Sequence, residues 1–182
     1  MREVLDASEP TLRGWSEVGG DYTVGIAGYV GGATPHIWTP DEWGVARSLG
    51  YDPLPIYVAG SFRTGHETGA TEANLAIAMM QSLGIGGVLA LDVELAPFPD
   101  EGYFRGFAAA CFIARVEPVL YIRAVSWRGL GFDPNMYLWL ADWRPYGRLD
   151  VPAPTIGWQY ERGDNWDYSV WDSDAPLGFW ME

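Results

Sequence analysis

The sequence predicts an α/β barrel in which β/α units are followed by further strands, the last of them antiparallel. Eight short apolar runs punctuate the 182 residues, and the first five are each followed by a segment that reads as a helix or helical turn. Most of these runs are apolar nearly throughout, the pattern of strands covered on both faces. Between the seventh and eighth runs lie Glu161 to Trp166, too few residues for a parallel crossover, so the eighth strand must run back alongside the seventh.

Taken in order, the expected strands are Val4 to Ala7, Val24 to Val30, Leu54 to Ala59, Val88 to Glu94, Pro118 to Arg123, Met136 to Asp142, Thr155 to Tyr160 and Tyr168 to Trp171. A helix is expected to start at Thr39-Pro40-Asp41-Glu42, where Thr39 can cap, Pro40 suits the first turn and the acids face the helix dipole, and to end near Leu49-Gly50. A second spans about Thr71 to Leu83 and stops at Gly84. A third spans about Glu101 to Val116, where Pro118 forbids continuation. After the fifth strand the helical pattern fades: Val125 to Leu130 offers a turn or two, and Trp143 to Pro154 is rich in proline and glycine. Length alone favours one domain over residues 1–182.

Composition narrows the function classes. Hydrophobic residues make up 48% and charged residues 19%, which describes a folded globular chain. The net charge of −13 opposes nucleic acid and anionic membranes as partners, and no apolar run reaches the roughly 20 residues of a spanning helix. The first residues, Met1 to Asp6, do not read as a secretory signal, so no compartment is indicated. Cys111 lies in an apolar stretch and reads as a buried inert thiol. His36 and His66 lack metal-ligand spacing, so neither a metal nor another cofactor is expected. Ten Trp and ten Tyr are the compositional surplus, either core mass or flat platforms for sugar rings.

The acids are placed as a catalytic site would need them. Strand alternation puts Asp92 and Glu94 on one face above Ala90, with Leu89, Leu91 and Val93 on the other. In a β/α barrel the inward residues at the C-terminal strand ends line the site. Asp6 closes the first strand and Asp142 the sixth, and the antiparallel eighth strand brings its first residue, Asp167, to the same rim. Repulsion in such a cluster raises the pKa of one member and leaves another ionised, the split that glycoside hydrolysis uses. Glu94, with the longer reach and negative neighbours, is the expected proton donor, assisted by Asp92, Asp6 and Asp167. Solvated helix caps and an oxygen-ligand metal site remain alternative readings of the same acids. Among the strand aromatics Tyr29, Tyr57, Tyr121, Trp139, Trp158 and Tyr160, about half are expected to line the cleft and bind substrate.

The segments Leu5-Asp6-Ala7-Ser8, Leu91-Asp92-Val93-Glu94, Leu138-Trp139-Leu140-Ala141-Asp142, Trp158-Gln159-Tyr160 and Asp167-Tyr168-Ser169 together resemble the glycoside hydrolase family 25 lysozymes across nearly the whole chain. The resemblance implies a TIM-like flattened barrel of five β/α units followed by three strands. It implies Glu94 as general acid, Asp92, Asp6 and Asp167 as the other catalytic acids, and Asp142 and Gln159 beside the aromatics in the substrate-binding set. The implied activity is cleavage of the N-acetylmuramic acid to N-acetylglucosamine bond of peptidoglycan by a monomeric enzyme. Gly28-Tyr29-Val30-Gly31-Gly32, Thr39-Pro40-Asp41-Glu42-Trp43 and Tyr168-Ser169 look more like a related glycoside-hydrolase-like domain family of unassigned function, found in bacteria and phages. A carbohydrate-binding or virion-associated module on the same barrel is the rival expectation. Arg162-Gly163-Asp164 reads as an ordinary hairpin turn, not an adhesion motif.

Overall fold

A computed structural model describes residues 1–6, 23–94, 96–127, 130–142, 155–162 and 167–181, with the side chains of residues 161 and 162 excepted. Eight strands close into a barrel: β1 (Arg2–Asp6), β2 (Thr23–Gly32), β3 (Asp52–Val58), β5 (Val88–Asp92), β6 (Glu117–Arg123), β7 (Tyr137–Ala141), β8 (Thr155–Arg162) and β9 (Asp167–Trp171). Neighbours from β1 through β8 pair in parallel, and β9 runs antiparallel to both β8 and β1. The eight expected runs are these eight strands. Two further strands of two residues each, β4 (Ile85–Gly86) and β10 (Phe179–Trp180), pair outside the barrel.

Three helices are present among the described residues. Helix α1 (Pro40–Ser48) begins where its signals placed it: Thr39 Oγ1 accepts the Glu42 N–H, and the Glu42 carboxylate accepts the Thr39 N–H at 2.6 Å. Helix α2 (His66–Ser82) starts more than a turn before the expected Thr71. Its first residue follows Gly65, whose φ of 85° no side-chain cap announces; the Gly65 N–H is instead received by Asp100 at 3.0 Å, 35 residues away. Helix α3 (Glu101–Ile113) is capped by the same Asp100 carboxylate, which accepts the Tyr103 N–H at 2.8 Å, and it ends before the expected Val116 because Arg115 turns left-handed at φ 59°. Residues 7–22, 128–129, 143–154 and 163–166, the last holding most of the Arg-Gly-Asp tripeptide, lie outside the described residues. Among the described residues, helices follow three of the five strands expected to carry one, β2, β3 and β5. No described helix is long and apolar enough to cross a membrane.

Strand alternation sorts the side chains into two cores. The lumen holds Val4, Ala27, Leu54, Ile56, Val88, Ala90, Val119, Tyr121, Trp139, Ala141 and Trp171. Leu5, Ile26, Leu89, Leu91, Val93, Leu138 and Leu140 face the helical layer. Ala90 below the rim, with Leu89, Leu91 and Val93 outside, is the arrangement that period 2 predicts. Trp139 plugs the lumen, its ring centroid 4.6 Å from Tyr121 and 5.3 Å from Trp171, with its indole N–H donated to Ser169 Oγ at 3.0 Å. Cys111 is buried in the helical layer and its thiol pKa is pushed up to about 12 by burial, as an inert thiol requires.

Helices α2 and α3 meet backbone to backbone. A Cβ at Gly69 would lie 2.0 Å from the Tyr103 carbonyl oxygen, and one at Gly106 would lie 1.9 Å from that of His66. No side chain can yield there, so Gly69→Ala must push the helices apart. We expect it to lose about 1–3 kcal/mol of unfolding free energy, measured by urea denaturation. A loss below a few tenths would show that the helices separate freely.

Candidate active site

The rim at the C-terminal ends of the parallel strands collects the acids. Asp6 ends β1 and is paired across the antiparallel ladder with Asp167, the first residue of β9. Asp92 ends β5 at the same level, one residue pair beyond Ala90 on the lumen face. Tyr29, Ala33, Thr34, Pro35, Val58, Asp92 and Glu94 line a cleft of about 160 Å³.

Glu94 is not on the strand, contrary to the expected span Val88 to Glu94. The Val93 N–H still reaches Tyr121 O, but the Asp92 carboxylate then accepts the Glu94 N–H at 3.0 Å. This local side-chain bond competes with the ladder and ends it at Asp92. Glu94 thereby lies in a loop over the cleft, half-buried, instead of being packed into the lumen.

Burial dominates the electrostatics. Asp6 is 5% exposed, and its pKa is held well above the usual carboxylate range, first by burial and then by the charges of Asp167, Asp92 and Glu94. Asp92, 6% exposed, is pushed up to about 7. Burial is the main cause there; the Glu94 N–H and the Arg123 charge oppose it, and the Glu94 charge adds to it. The Tyr29 phenol is raised by the Asp6 charge and by burial, which places it among the acids. Asp6 Oδ1 and Gln159 Nε2 are buried with no hydrogen-bond partner among the described residues.

The expected substrate-binding set divides. Tyr29 lines the cleft; Tyr121 is buried beside the acids, its phenol raised by burial and by the charges of Glu94, Asp6 and Asp92 and donating to Gln159 Oε1 at 2.6 Å. Tyr57 does not belong to the site: its neighbours Leu54 and Ile56 fix the register, which sends Tyr57 outward against Phe107, 6.2 Å between ring centroids. Trp158 and Tyr160 likewise join the helical layer, since Gly157 and Gln159 take the inward positions of β8. Trp139 points inward but is fully buried beneath the rim, so it is packing and no sugar platform. Asp142 follows Ala141 in the outward register of Leu138 and Leu140, its N–H received by Gln159 O at 2.9 Å.

Two rim residues escaped the sequence reading. Arg123, inward on β6 in the register of Val119 and Tyr121, places its Nε 3.3 Å from Glu94 Oε1. Glu94 has the negative neighbours expected of it in Asp92 and Asp6, and it also faces a guanidinium that the expectation did not include. Its signal was the alternation Val119, Tyr121, Arg123, visible once the inward face is known. Phe62, 77% exposed and left-handed at φ 61°, is held in the loop after β3 by its N–H to Pro97 O at 3.3 Å. A bulky residue in that conformation is strained, and no sequence pattern announces it.

No family model matches the chain, and no curated protein matches it. Solved structures do. An uncharacterized protein of B. stearothermophilus aligns with 95% of this chain and 97% of its own, at 19% identity and a TM-score of 0.75. The modular autolysin LytC from Streptococcus pneumoniae, in complex with a synthetic peptidoglycan ligand, aligns with 94% of this chain and 46% of its own, at 15% identity and a TM-score of 0.70. A family 25 glycosyl hydrolase from Bacillus anthracis aligns with 96% of this chain and 90% of its own, at 13% identity and a TM-score of 0.69. Identities this low speak for the fold, and the fold is the lysozyme-like barrel of the family 25 glycosyl hydrolases.

Proposed function

We propose that the protein is a glycoside hydrolase that cleaves peptidoglycan in the manner of a muramidase, by carboxylate acid and base catalysis. The observation that carries this reading is the convergence of Asp6, Asp92, Glu94 and Asp167 on one barrel mouth, with Asp92 pushed up to about 7. Such a site holds protonated and ionised carboxyl groups together near neutral pH, the division that protonates a leaving oxygen on one side and stabilises an oxocarbenium-like state on the other. Glu94, the carboxylate on a loop over the cleft, is the proton donor; buried Asp92 and Asp6 act beside it, and Asp167 completes the set. Tyr29, which lines the cleft, positions the sugar, and the buried Tyr121–Gln159 pair supports the acids from below. The autolysin that shares the fold was crystallised with a peptidoglycan ligand, which supports the same substrate class here.

The test is incubation of the protein with purified cell walls, followed by reducing-end assay and mass spectrometry of the soluble fragments. Fragments ending in a reducing N-acetylmuramic acid are expected. A chelator is expected to leave the rate unchanged, since the proposed chemistry uses carboxylates alone; loss of turnover in chelator would favour the metal alternative. The contact of Arg123 with Glu94 is the observation that favours the rival reading, a carbohydrate-binding module without turnover. Saturable binding of wall fragments with no product would establish that rival.

A further inference from the structure

The mouth is strongly acidic in a chain of net charge −13, yet one cation stands on its inner edge. Among the described residues that face the mouth from the strands, Arg123 is the basic one. Its side chain is 61% exposed, while that of Glu94 is 28% exposed. The contact uses Nε alone, at 3.3 Å, longer than the roughly 2.7–2.9 Å of a tight charge-assisted bond. The Nη edge of the guanidinium, the part shaped for bidentate carboxylate recognition, has no partner among the described residues. The turn after β6, where the Ser126 N–H is received by Arg123 O at 2.8 Å, fixes the backbone that carries it.

We propose that Arg123 is a specificity-determining residue that receives a carboxylate substituent of the bound saccharide and, in doing so, gives up its contact with Glu94. An anionic substituent would otherwise meet Asp6, Asp92, Glu94 and Asp167 unscreened. Transfer of the guanidinium to the substrate releases the Glu94 carboxylate from its ion pair and leaves it beside the sugar. The substrate class is therefore an acidic glycan, and the Arg123–Glu94 pair is the resting arrangement. This rests on the saccharide reading of the site.

The test compares four probes: N-acetylglucosamine tetramer, an N-acetylglucosamine/N-acetylmuramic acid tetramer with free lactyl carboxylates, the same tetramer with those carboxylates reduced to alcohols, and a muropeptide. The muropeptide, with its lactyl group in amide linkage, tells a lactyl source of the carboxylate from a peptide source. Calorimetric affinities are measured for wild type, Arg123→Gln and Arg123→Lys, and each protein is judged by its own carboxylate-to-alcohol ratio. Wild type is expected to prefer the carboxylate about tenfold, with the preference weakening as salt rises. Arg123→Gln should bring the ratio close to one, and Arg123→Lys should keep part of it. A wild-type ratio near one, or a ratio that survives in Arg123→Gln, overturns the proposal while leaving a saccharide site standing. Binding of none of the probes by wild type overturns the saccharide reading as well.

Discussion

Glu94→Gln protein is expected to release no new reducing ends from cell walls above background while unfolding at the wild-type temperature. The substitution keeps shape and volume but removes the transferable proton, and general acid catalysis by a positioned carboxyl group contributes on the order of 10²–10⁴ in rate. Stability should hold because Glu94 sits in a loop with a side chain 28% exposed, and its backbone N–H, the group that binds Asp92, is untouched by the change. The substitution weakens one long ion pair with a solvated guanidinium, a kind of pair worth about 0–1 kcal/mol. Reducing-end release equal to wild type would remove Glu94 from the chemistry and move the role of acid to Asp92.

The second large effect concerns stability and carries a definite sign. Asp92 has a pKa near 4 in an unfolded chain and about 7 when folded, so between those values the native state binds the extra proton. Stability therefore falls as pH rises from about 4 to about 7 and levels off above it, because ionised Asp92 is buried at a cost that the unfolded chain does not bear. Asp6, also raised by burial, adds a contribution of the same sign. Asp92→Asn keeps an oxygen to accept the Glu94 N–H and removes the ionisation. It is expected to be more stable than wild type at pH 8 by roughly a few kcal/mol, since each tenfold change in proton affinity on folding is worth about 1.4 kcal/mol, and to show no gain at about pH 3.5. Urea denaturation at a series of pH values measures this directly. A gain independent of pH would show that Asp92 is not the group being relieved. The same variant should lose turnover, the ordinary exchange of stability for function at a strained site.

Much of the fold could be read from one-dimensional pattern. The apolar runs became strands because backbone period and burial are both local properties of a sequence. The short connection from Glu161 to Trp166 dictated an antiparallel β9, since chain length limits what a crossover can do. Helix α1 declared itself through Thr39, Pro40 and Glu42, all within reach of one another. The start of α2 was illegible for the opposite reason: Gly65 is held by Asp100, a partner from another loop. Strands β4 and β10 are too short to carry a pattern, and they exist because the end of the chain returns to Ile85–Gly86.

The candidate site divides along the same line. Alternation along single strands placed Asp92 above Ala90 and marked Asp6 and Asp167 as residues of one rim, because period 2 and strand direction need no knowledge of neighbours. Which face of each strand looks inward was another matter: Tyr57, Trp158 and Tyr160 are aromatic residues on strands just as Tyr29 and Tyr121 are, and register within the closed barrel separated them. The charge state of the site also had to await packing. Burial of Asp92, the pairing of Glu94 with Arg123 across 29 positions, and that of Tyr121 with Gln159 across 38 depend on chain segments that meet only when the barrel closes. Desolvation and Coulomb interaction act through space, so the identity of the acids belongs to the linear chain and their chemistry to its closure.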